Sequence, residues 1–318
     1  MIIPATILLH IPDGFLHLLV SLVCWLVTLA VLGLAVANTR RDLDERLVPL
    51  AGIMAAFIFA AQMLNFPVAG GTSGHFVGAA LAVIVLGPWL GLLAMAAVVA
   101  VQALLFQDGG LVVMGANILV MGIVPGFVAY AVYRAGRGRS WKTRLALAGA
   151  AAWLSVMAAA LVVALLLAFS ATSDLRVVLP AMLGVHALIG TGEALITVAA
   201  LGFIRAARPA LLEEEATAGW GGWVAGGLAV ALLLVLAAPF ASGHPDGLEW
   251  VAETTGFLAT AQDAPYAILP DYTVPFLGET GLSTIAAGII GVLLVGGVVA
   301  LTMRLLRRRP REDLTQGR

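Results

Sequence analysis

Residues 10–41 read HIPDGFLHLLVSLVCWLVTLAVLGLAVANTRR and join a histidine-containing turn to an apolar run that ends in two arginines. The apolar part, residues 15–37, is long enough to cross a hydrocarbon core of about 30 Å as a helix. The whole chain is 61% hydrophobic and 11% charged, and its charges fall between apolar runs. We therefore predict an all-α, polytopic membrane protein.

Apolar runs predict nine membrane spans, and the charges between them predict an orientation. The spans are 15–37, 47–64, 76–87, 89–106, 113–133, 144–169, 179–204, 222–241 and 282–304. Of the 17 Lys and Arg residues, 16 lie in alternate loops or in the C-terminal tail, and Arg176 is the exception. The positive-inside rule places the C-terminus in the cytoplasm, and nine spans then place the N-terminus outside. Gly87-Pro88-Trp89, between the third and fourth spans, is either a tight turn or a kink.

With this orientation, the external face carries two histidines beside Gly- or Pro-rich turns. His10 precedes Pro12, which restricts the backbone, and His75 follows the glycine-rich run 70–74. Neutral imidazole is a common ligand for nickel, cobalt, zinc and copper. Either histidine alone is better explained by a structural role, but the pair makes a metal site an equal alternative. The external segment 242–281 holds six acidic residues and no Lys or Arg, which either attracts cations or reflects ordinary loop charge bias.

Polar residues inside the predicted spans are further candidates. His186 and Glu193 are seven residues apart and share a helix face. The pair could act as a proton relay or support a metal, but an interhelical hydrogen bond is the favoured role. Asn65 and Asn117 are predicted either to orient ligand loops or to pair helices. Small residues such as Ala55-Ala56 permit close contact with other helices.

The sequence predicts a protein that is not an enzyme. It has no phosphate-binding loop of the Gly-x-x-x-x-Gly-Lys-Ser/Thr type and no nucleophile–base set, so ATP hydrolysis must come from elsewhere. The single cysteine, Cys24, excludes an intrachain disulfide and a thiolate metal cluster.

Several of these segments resemble a known family. HIPDGFL at 10–16, GTSGHF at 71–76, GAN at 115–117, MG at 121–122 and HALIGTGEALIT at 186–197 resemble the nickel/cobalt substrate-capture subunits of energy-coupling-factor transporters, the CbiM/NikM family. The segment His244-Pro245-Asp246-Gly247-Leu248-Glu249 resembles the motif of the small PDGLE-type accessory subunit, which is CbiN/NikN-like. The resemblance implies a capture module at 1–205 with seven spans and an accessory module at 206–318 with two.

The resemblance also implies a ligand set. In the family, the terminal amine, the amide and imidazole of the following histidine, and a loop histidine bind the metal, which here correspond to the residue-9 amine of Leu9, His10 and His75. Four in-plane nitrogens suit Ni²⁺. Eight residues precede Leu9, so the amine requires a chain that starts at position 9, by a misassigned start (favoured) or by trimming. Supporting positions are Asp13, Asn65, Ser73, Asn117, His186 and Glu193.

The implied function is import of Ni²⁺, with Co²⁺ as the less favoured choice. The metal is the transported substrate, and no resident cofactor is expected. The protein would lie in a bacterial-type inner (cytoplasmic) membrane with a transmembrane coupling subunit and two ATPase subunits as partners, and would bind no nucleic acid. The alternative is a self-sufficient secondary divalent-metal transporter or channel that works through His186 and Glu193.

Overall fold

The computed structural model describes residues 10–44, 47–207 and 221–307. These residues form eleven helices and one pair of two-residue strands. The helices are α1 (Leu18–Asp42), α2 (Leu47–Gln62), α3 (Ala79–Leu86), α4 (Pro88–Val101), α5 (Met114–Ile118), α6 (Val124–Arg134), α7 (Trp141–Phe169), α8 (Leu175–Ala207), α9 (Gly221–Ala237), α10 (Gly247–Thr255) and α11 (Gly281–Leu306). Strands β1 (Phe66–Pro67) and β2 (Ser73–Gly74) pair antiparallel. The all-α prediction is confirmed.

Six helical segments among the described residues are long and apolar enough to cross a membrane. They are Leu18–Arg41, Pro88–Phe106, Met114–Arg134, Trp141–Phe169, Leu175–Ala207 and Gly281–Leu306. Two of them run through π-helical turns, Gln102–Phe106 after α4 and Leu119–Ile123 between α5 and α6. The apolar segments Leu47–Gln62 and Val224–Phe240 are shorter. The polytopic class is confirmed, whereas the number of nine spans and the orientation stay predictions.

The third predicted span, 76–87, corresponds to the shortest helix of the nine predicted spans. Only Ala79–Leu86 is helical there, a rise of about 12 Å against a hydrocarbon core of about 30 Å. Gly87 has φ of 79° and reverses the chain. Pro88 then begins α4, where its missing N–H costs no hydrogen bond. The Gly87-Pro88 junction is therefore a tight turn, and α3 packs back against α4.

Helix α2 lies at the centre of the largest hydrophobic core and packs against α4, α9 and α11. A Cβ on Gly52 would lie 2.9 Å from the carbonyl oxygen of Gly296, so the backbones of α2 and α11 nearly touch. Ala55-Ala56 and Ala60-Ala61 are buried. The sequence predicts that the small residues of α2 contact another helix. In the structure they pack against α11 and its neighbours in the same chain.

Some sequence predictions fall outside the described residues. These include Leu9 with the extension before it, Arg46, Arg208 and the tail after Arg307. Helix α8 ends at Ala207 and α9 begins at Gly221, so the module boundary at 205/206 stays a prediction.

Candidate metal centre

His10 lies in the segment before α1 with its imidazole enclosed by protein. The residue is 2% exposed. Its Nδ1 is 2.7 Å from Asp108 Oδ1 and 3.1 Å from the Asp108 carbonyl oxygen. Its Nε2 is buried and has no hydrogen-bond partner among the described residues. Buried polar atoms are normally paired, so an unpaired imidazole nitrogen makes this turn a candidate ligand site.

The backbone next to His10 is held by Asn117 of α5. The Ile11 N–H donates to Asn117 Oδ1 at 3.0 Å, and Asn117 Nδ2 donates back to the Ile11 carbonyl at 2.9 Å. Gly109 passes so close that a Cβ there would lie 3.0 Å from His10 Cβ, and its φ is 103°. Asn117 of the GAN segment therefore holds the main chain next to His10 by a pair of hydrogen bonds, as a paired strand would.

Asp13 binds the loop that carries Asp108. Its carboxylate oxygens accept the main-chain N–H groups of Leu111, Val112 and Val113 at 3.0, 2.9 and 3.2 Å. The Pro-Asp-Gly turn and the loop 107–113 therefore form one rigid unit, as hydrogen bonds to a charged acceptor are the stronger kind.

His75 lies beside His10 on the other wall of the centre. The two ring centroids are 5.8 Å apart at an interplanar angle of 69°. The chain just after His75 is held by Glu193 of α8, whose two carboxylate oxygens accept the N–H groups of Val77 and Gly78 at 2.8 and 2.9 Å. Glu193 thus holds the main chain after His75, and its roles as proton relay or metal support stay predictions.

The accessory motif, residues 244–249, packs against the loop that carries His75. The hydroxyl of Ser73 donates to the His244 carbonyl at 2.8 Å, and the Ser73 N–H donates to the Pro245 carbonyl at 2.8 Å. Asp246 Oδ1 caps α10 by accepting the Glu249 N–H at 2.8 Å, while its Oδ2 lies 3.5 Å from His75 Nδ1. Gly247 and Leu248 are buried beneath it. The Pro-Asp-Gly-Leu-Glu segment is thus docked on the histidine loop.

One small cavity, 70 Å³ in volume, connects these groups. Its polar lining includes His10, His75, His186 and Asp246, and its apolar lining includes Met121 and Met182. His186 Nδ1 is hydrogen-bonded to the Met182 carbonyl at 2.8 Å. The two residues on α8 therefore have different surroundings. His186 faces the cavity, and Glu193 binds the loop.

Electrostatics reinforce the His10–Asp108 pair. Burial by itself lowers the pKa of His10, but the Asp108 carboxylate outweighs it and raises the pKa above its ordinary value. Burial raises the pKa of Asp108, but His10 and a hydrogen bond from Tyr272 outweigh it and lower that pKa. Both shifts favour a charged carboxylate beside an Nδ1–H donor.

Each imidazole of the pair therefore turns Nδ1 toward a carboxylate. A histidine held in this way offers Nε2 to a metal. The chelate implied by the family resemblance uses Nδ1 of His10, which in this structure faces Asp108. Within 10–44, 47–207 and 221–307, no three His, Cys, Asp or Glu side chains have the geometry of a metal site. A complete ligand set therefore needs further donors such as main-chain nitrogens.

Two residues of this centre, Asp108 and Tyr272, have no role among the sequence predictions. Asp108 belongs to the loop 107–110, which the predicted orientation places outside, and the two glycines after it are a signal that another backbone approaches closely. Tyr272 carries no such signal, because only the fold brings residues 164 positions apart together. Asn65 is buried, and its carbonyl accepts the Ser242 N–H at 2.8 Å. The ligand and supporting roles assigned from the sequence stay predictions.

Apolar helices around an enclosed histidine pair define a multi-pass membrane protein with a candidate metal site. The family described as the cobalt uptake substrate-specific transmembrane region, CbiM, matches residues 10–211. The PDGLE domain family matches residues 221–308. The chain belongs to the CbiM family and carries a PDGLE domain after it, which confirms the resemblance seen in its motifs.

Similar proteins share this arrangement along their full length. The putative fused nickel transport protein NikMN of Archaeoglobus fulgidus is 41% identical over 90% of this chain and 95% of that protein. The fused nickel transport protein NikMN of Rhodobacter capsulatus is 30% identical over 95% of this chain and 99% of that protein. The crystal structure of a truncated transition metal transporter, 30% identical, superposes with a TM-score of 0.57 over 62% of this chain and 99% of that chain.

Proposed function

We propose that this protein is the metal-capture subunit of an energy-coupling-factor transporter that imports Ni²⁺, with Co²⁺ as the second choice. The observation that carries the proposal is the enclosed imidazole pair, His10 and His75, whose ring centroids lie 5.8 Å apart in the wall of a small cavity. Two similar fused proteins are named as nickel transport proteins, which supports nickel as the substrate.

The proposed ligands are the imidazoles of His10 and His75, with the nitrogen of Leu9 as a further donor. A borderline metal such as Ni²⁺ accepts imidazole and main-chain nitrogen. The Leu9 amine contributes only in a chain that begins at that position. Asp108 and Asp246 lie behind the imidazoles and hold them for the metal.

The proposal includes separate partners and a membrane. Energy would come from two ATPase subunits joined through a transmembrane coupling subunit, and the capture subunit would reorient in the cytoplasmic membrane. The surface of α1 supports a contact with lipid, because the side chains of Leu18, Leu22 and Leu26 are at least half exposed.

Calorimetric titration of purified protein with Ni²⁺ and with Co²⁺ tests the capture site. His10→Ala and His75→Ala should each weaken binding by at least the roughly 100-fold that loss of an outer partner can cost. The control is His17→Asn, which replaces an exposed histidine that caps α1 with another capping residue. If either cavity variant binds as the wild type does, the proposed site is wrong.

A second comparison addresses the amine. The chain that starts at residue 1 is titrated beside a chain that starts as Met at position 9. Tight binding only by the short form would make the residue-9 amine a ligand. Equal binding by both would remove the amine from the ligand set and leave the imidazoles.

The competing function is a self-sufficient secondary transporter driven through His186 and Glu193. The two bonds from Glu193 to the loop after His75 favour a supporting role instead. Proteoliposomes that contain this chain alone distinguish the two. We expect no concentrative Ni²⁺ uptake driven by a proton gradient, and such uptake would establish the competing function.

A further inference from the structure

A long groove runs beside the crossing of α2 and α11, between these helices and α9. Its volume is 540 Å³. The lining includes the small residues Gly52, Ala56 and Gly296. Gly297 lines the groove as well, and a Cβ added there would meet nothing within 4 Å. The described residues therefore leave an open furrow where three apolar helices meet.

The length of the groove matches one leaflet of a bilayer. Along α11 the lining extends from Val292 to Arg304, a rise of about 18 Å at 1.5 Å per residue. Val292 is itself about 17 Å from the start of α11 at Gly281, so the groove begins near the middle of the helix. One leaflet contributes about 15 Å to a hydrocarbon core of about 30 Å. The groove is therefore as long as the acyl-chain region of one leaflet, and Arg304 lies where the headgroups begin.

Charge is confined to that end of the groove. Of the described lining residues, only Arg304 and Arg307 are charged. Arg304 is exposed in the last turn of α11, and Arg307 follows at the C-cap. The positive-inside rule explains an arginine at this helix end, but it does not explain an apolar groove that leads up to the arginine. A phospholipid accounts for both, because its phosphate is charged and its chains are apolar.

We infer that this groove binds one anionic glycerophospholipid, with an acyl chain along Gly296 and Gly297 and the phosphate at Arg304. The guanidinium group suits phosphate because its N–H donors match the phosphate oxygens in pairs. Basic pockets between membrane helices on the cytoplasmic side bind lipid headgroups of this kind. The lipid would join the two matched regions of the chain, since α2 belongs to the CbiM match and α9 and α11 to the PDGLE match.

Helix α8 provides matched controls. Arg205 is exposed in the last turn of α8, as Arg304 is in α11. A Cβ on Gly202 would also meet nothing within 4 Å, as on Gly297. Neither α8 residue lines the groove. Arg304→Gln and Gly297→Leu therefore change the proposed site, whereas Arg205→Gln and Gly202→Leu make the same changes on another helix.

The first measurement is lipid retention by the full chain in a neutral detergent, by native mass spectrometry. Phosphatidylglycerol competes there with phosphatidylcholine. We expect the wild type to retain one phosphatidylglycerol in preference. Arg304→Gln should weaken that binding about 5-fold, the contribution of one cation near a headgroup, and Gly297→Leu should weaken it at least as much by filling the groove. The two α8 variants should bind as the wild type does.

Two outcomes of this measurement would overturn the inference. One is equal retention of the two lipids by the wild type. The other is a loss in the α8 variants as large as in Arg304→Gln and Gly297→Leu, which would mean that anionic lipid covers the whole surface without a site. In either case a helix of a partner protein becomes the better occupant of the groove.

Thermal unfolding separates a whole lipid from its headgroup. A ligand that binds only the folded protein raises the melting temperature. Phosphatidylglycerol should therefore raise the melting temperature of the wild type and of the α8 variants, with a smaller rise in Arg304→Gln and Gly297→Leu. Inorganic phosphate should cause no rise, and a rise equal to that of the lipid would mean an anion site without an acyl chain and would overturn the inference. Neither measurement contains Ni²⁺, so the result is independent of the proposed capture function.

Discussion

At the scale of single residues, the centre is built from imidazoles backed by carboxylates. Asp108 stands behind His10 and Asp246 behind His75. Burying such charges costs free energy that their mutual attraction only partly returns. The gain is a pair of rings held in place before a metal arrives, which a flexible surface pair would lack.

Asp246 offers a test of this arrangement. Asp246→Asn keeps an oxygen to cap α10 but removes the charge near His75 Nδ1. We expect Ni²⁺ affinity to fall about 10-fold, with the melting temperature nearly unchanged because Asn is also a good cap. Calorimetry and thermal unfolding measure the two effects. Glu253→Gln, an exposed position on the same helix, is the control, and equal affinities would contradict the role of Asp246.

At the scale of elements, α8 is a platform for the loop that carries His75. His186 faces the cavity about three turns into the helix, and Glu193 binds the chain after His75 two turns later. Gly192 lies under the ring of Phe66 in β1, where a Cβ would be 2.6 Å from Cε2. The HALIGTGEALIT segment thus supports the loop along its length.

Glu193→Gln tests this platform. The amide can replace one acceptor oxygen but turns an NH₂ group toward a second buried N–H, so we expect a loss of about 1–3 kcal/mol in stability. The thermal unfolding of the purified protein measures it. Thr191→Val, at an exposed position on α8, should change stability little. A stable Glu193→Gln protein that fails only in transport would instead favour a proton-relay role.

At the scale of the whole molecule, the accessory domain is part of the core and not an appendage. Its helix α11 crosses α2, and its segment 242–281 contacts the loop before His75 and the loop that carries Asp108. Removing the accessory domain would expose the buried face of α2. Asp108 would lose its hydrogen bond from Tyr272, and Ser73 would lose its bond to the His244 carbonyl. The two domains therefore share one hydrophobic core, and their folding is coupled.

Two glycines near the α2–α11 crossing provide a matched pair. A Cβ on Gly52 would lie 2.9 Å from the Gly296 backbone, whereas a Cβ on Gly297 would meet nothing within 4 Å. Alanine raises helix propensity by about 0.8–1.0 kcal/mol at either site, but overpacking at Gly52 costs about 1–3 kcal/mol. We expect Gly297→Ala to melt no lower than wild type and Gly52→Ala to melt lower. The reverse order would mean that the crossing is not tight.

Orientation in the membrane can be tested with labelled cysteines. Cys24 is buried and is the single cysteine of the chain, so Cys24→Ala gives a background without thiols. In intact cells, an impermeant maleimide should label Thr254→Cys, in α10 beside the histidine loop, and not Arg139→Cys, before α7. Labelling of Arg139→Cys alone would invert the predicted topology.

The sequence by itself determined the class of protein. Apolar runs longer than a hydrocarbon core leave a chain no alternative to membrane helices, and local motifs placed His10, His75 and the Pro-Asp-Gly-Leu-Glu segment near the site. It left open whether Gly87-Pro88 forms a turn or a kink, because hydropathy does not show that these residues fold an eight-residue helix back on its neighbour. Only the tertiary structure decided what stands behind each imidazole. Asp108 and Tyr272 meet across 164 residues, and such pairings depend on how helices pack, which no local pattern of residues encodes.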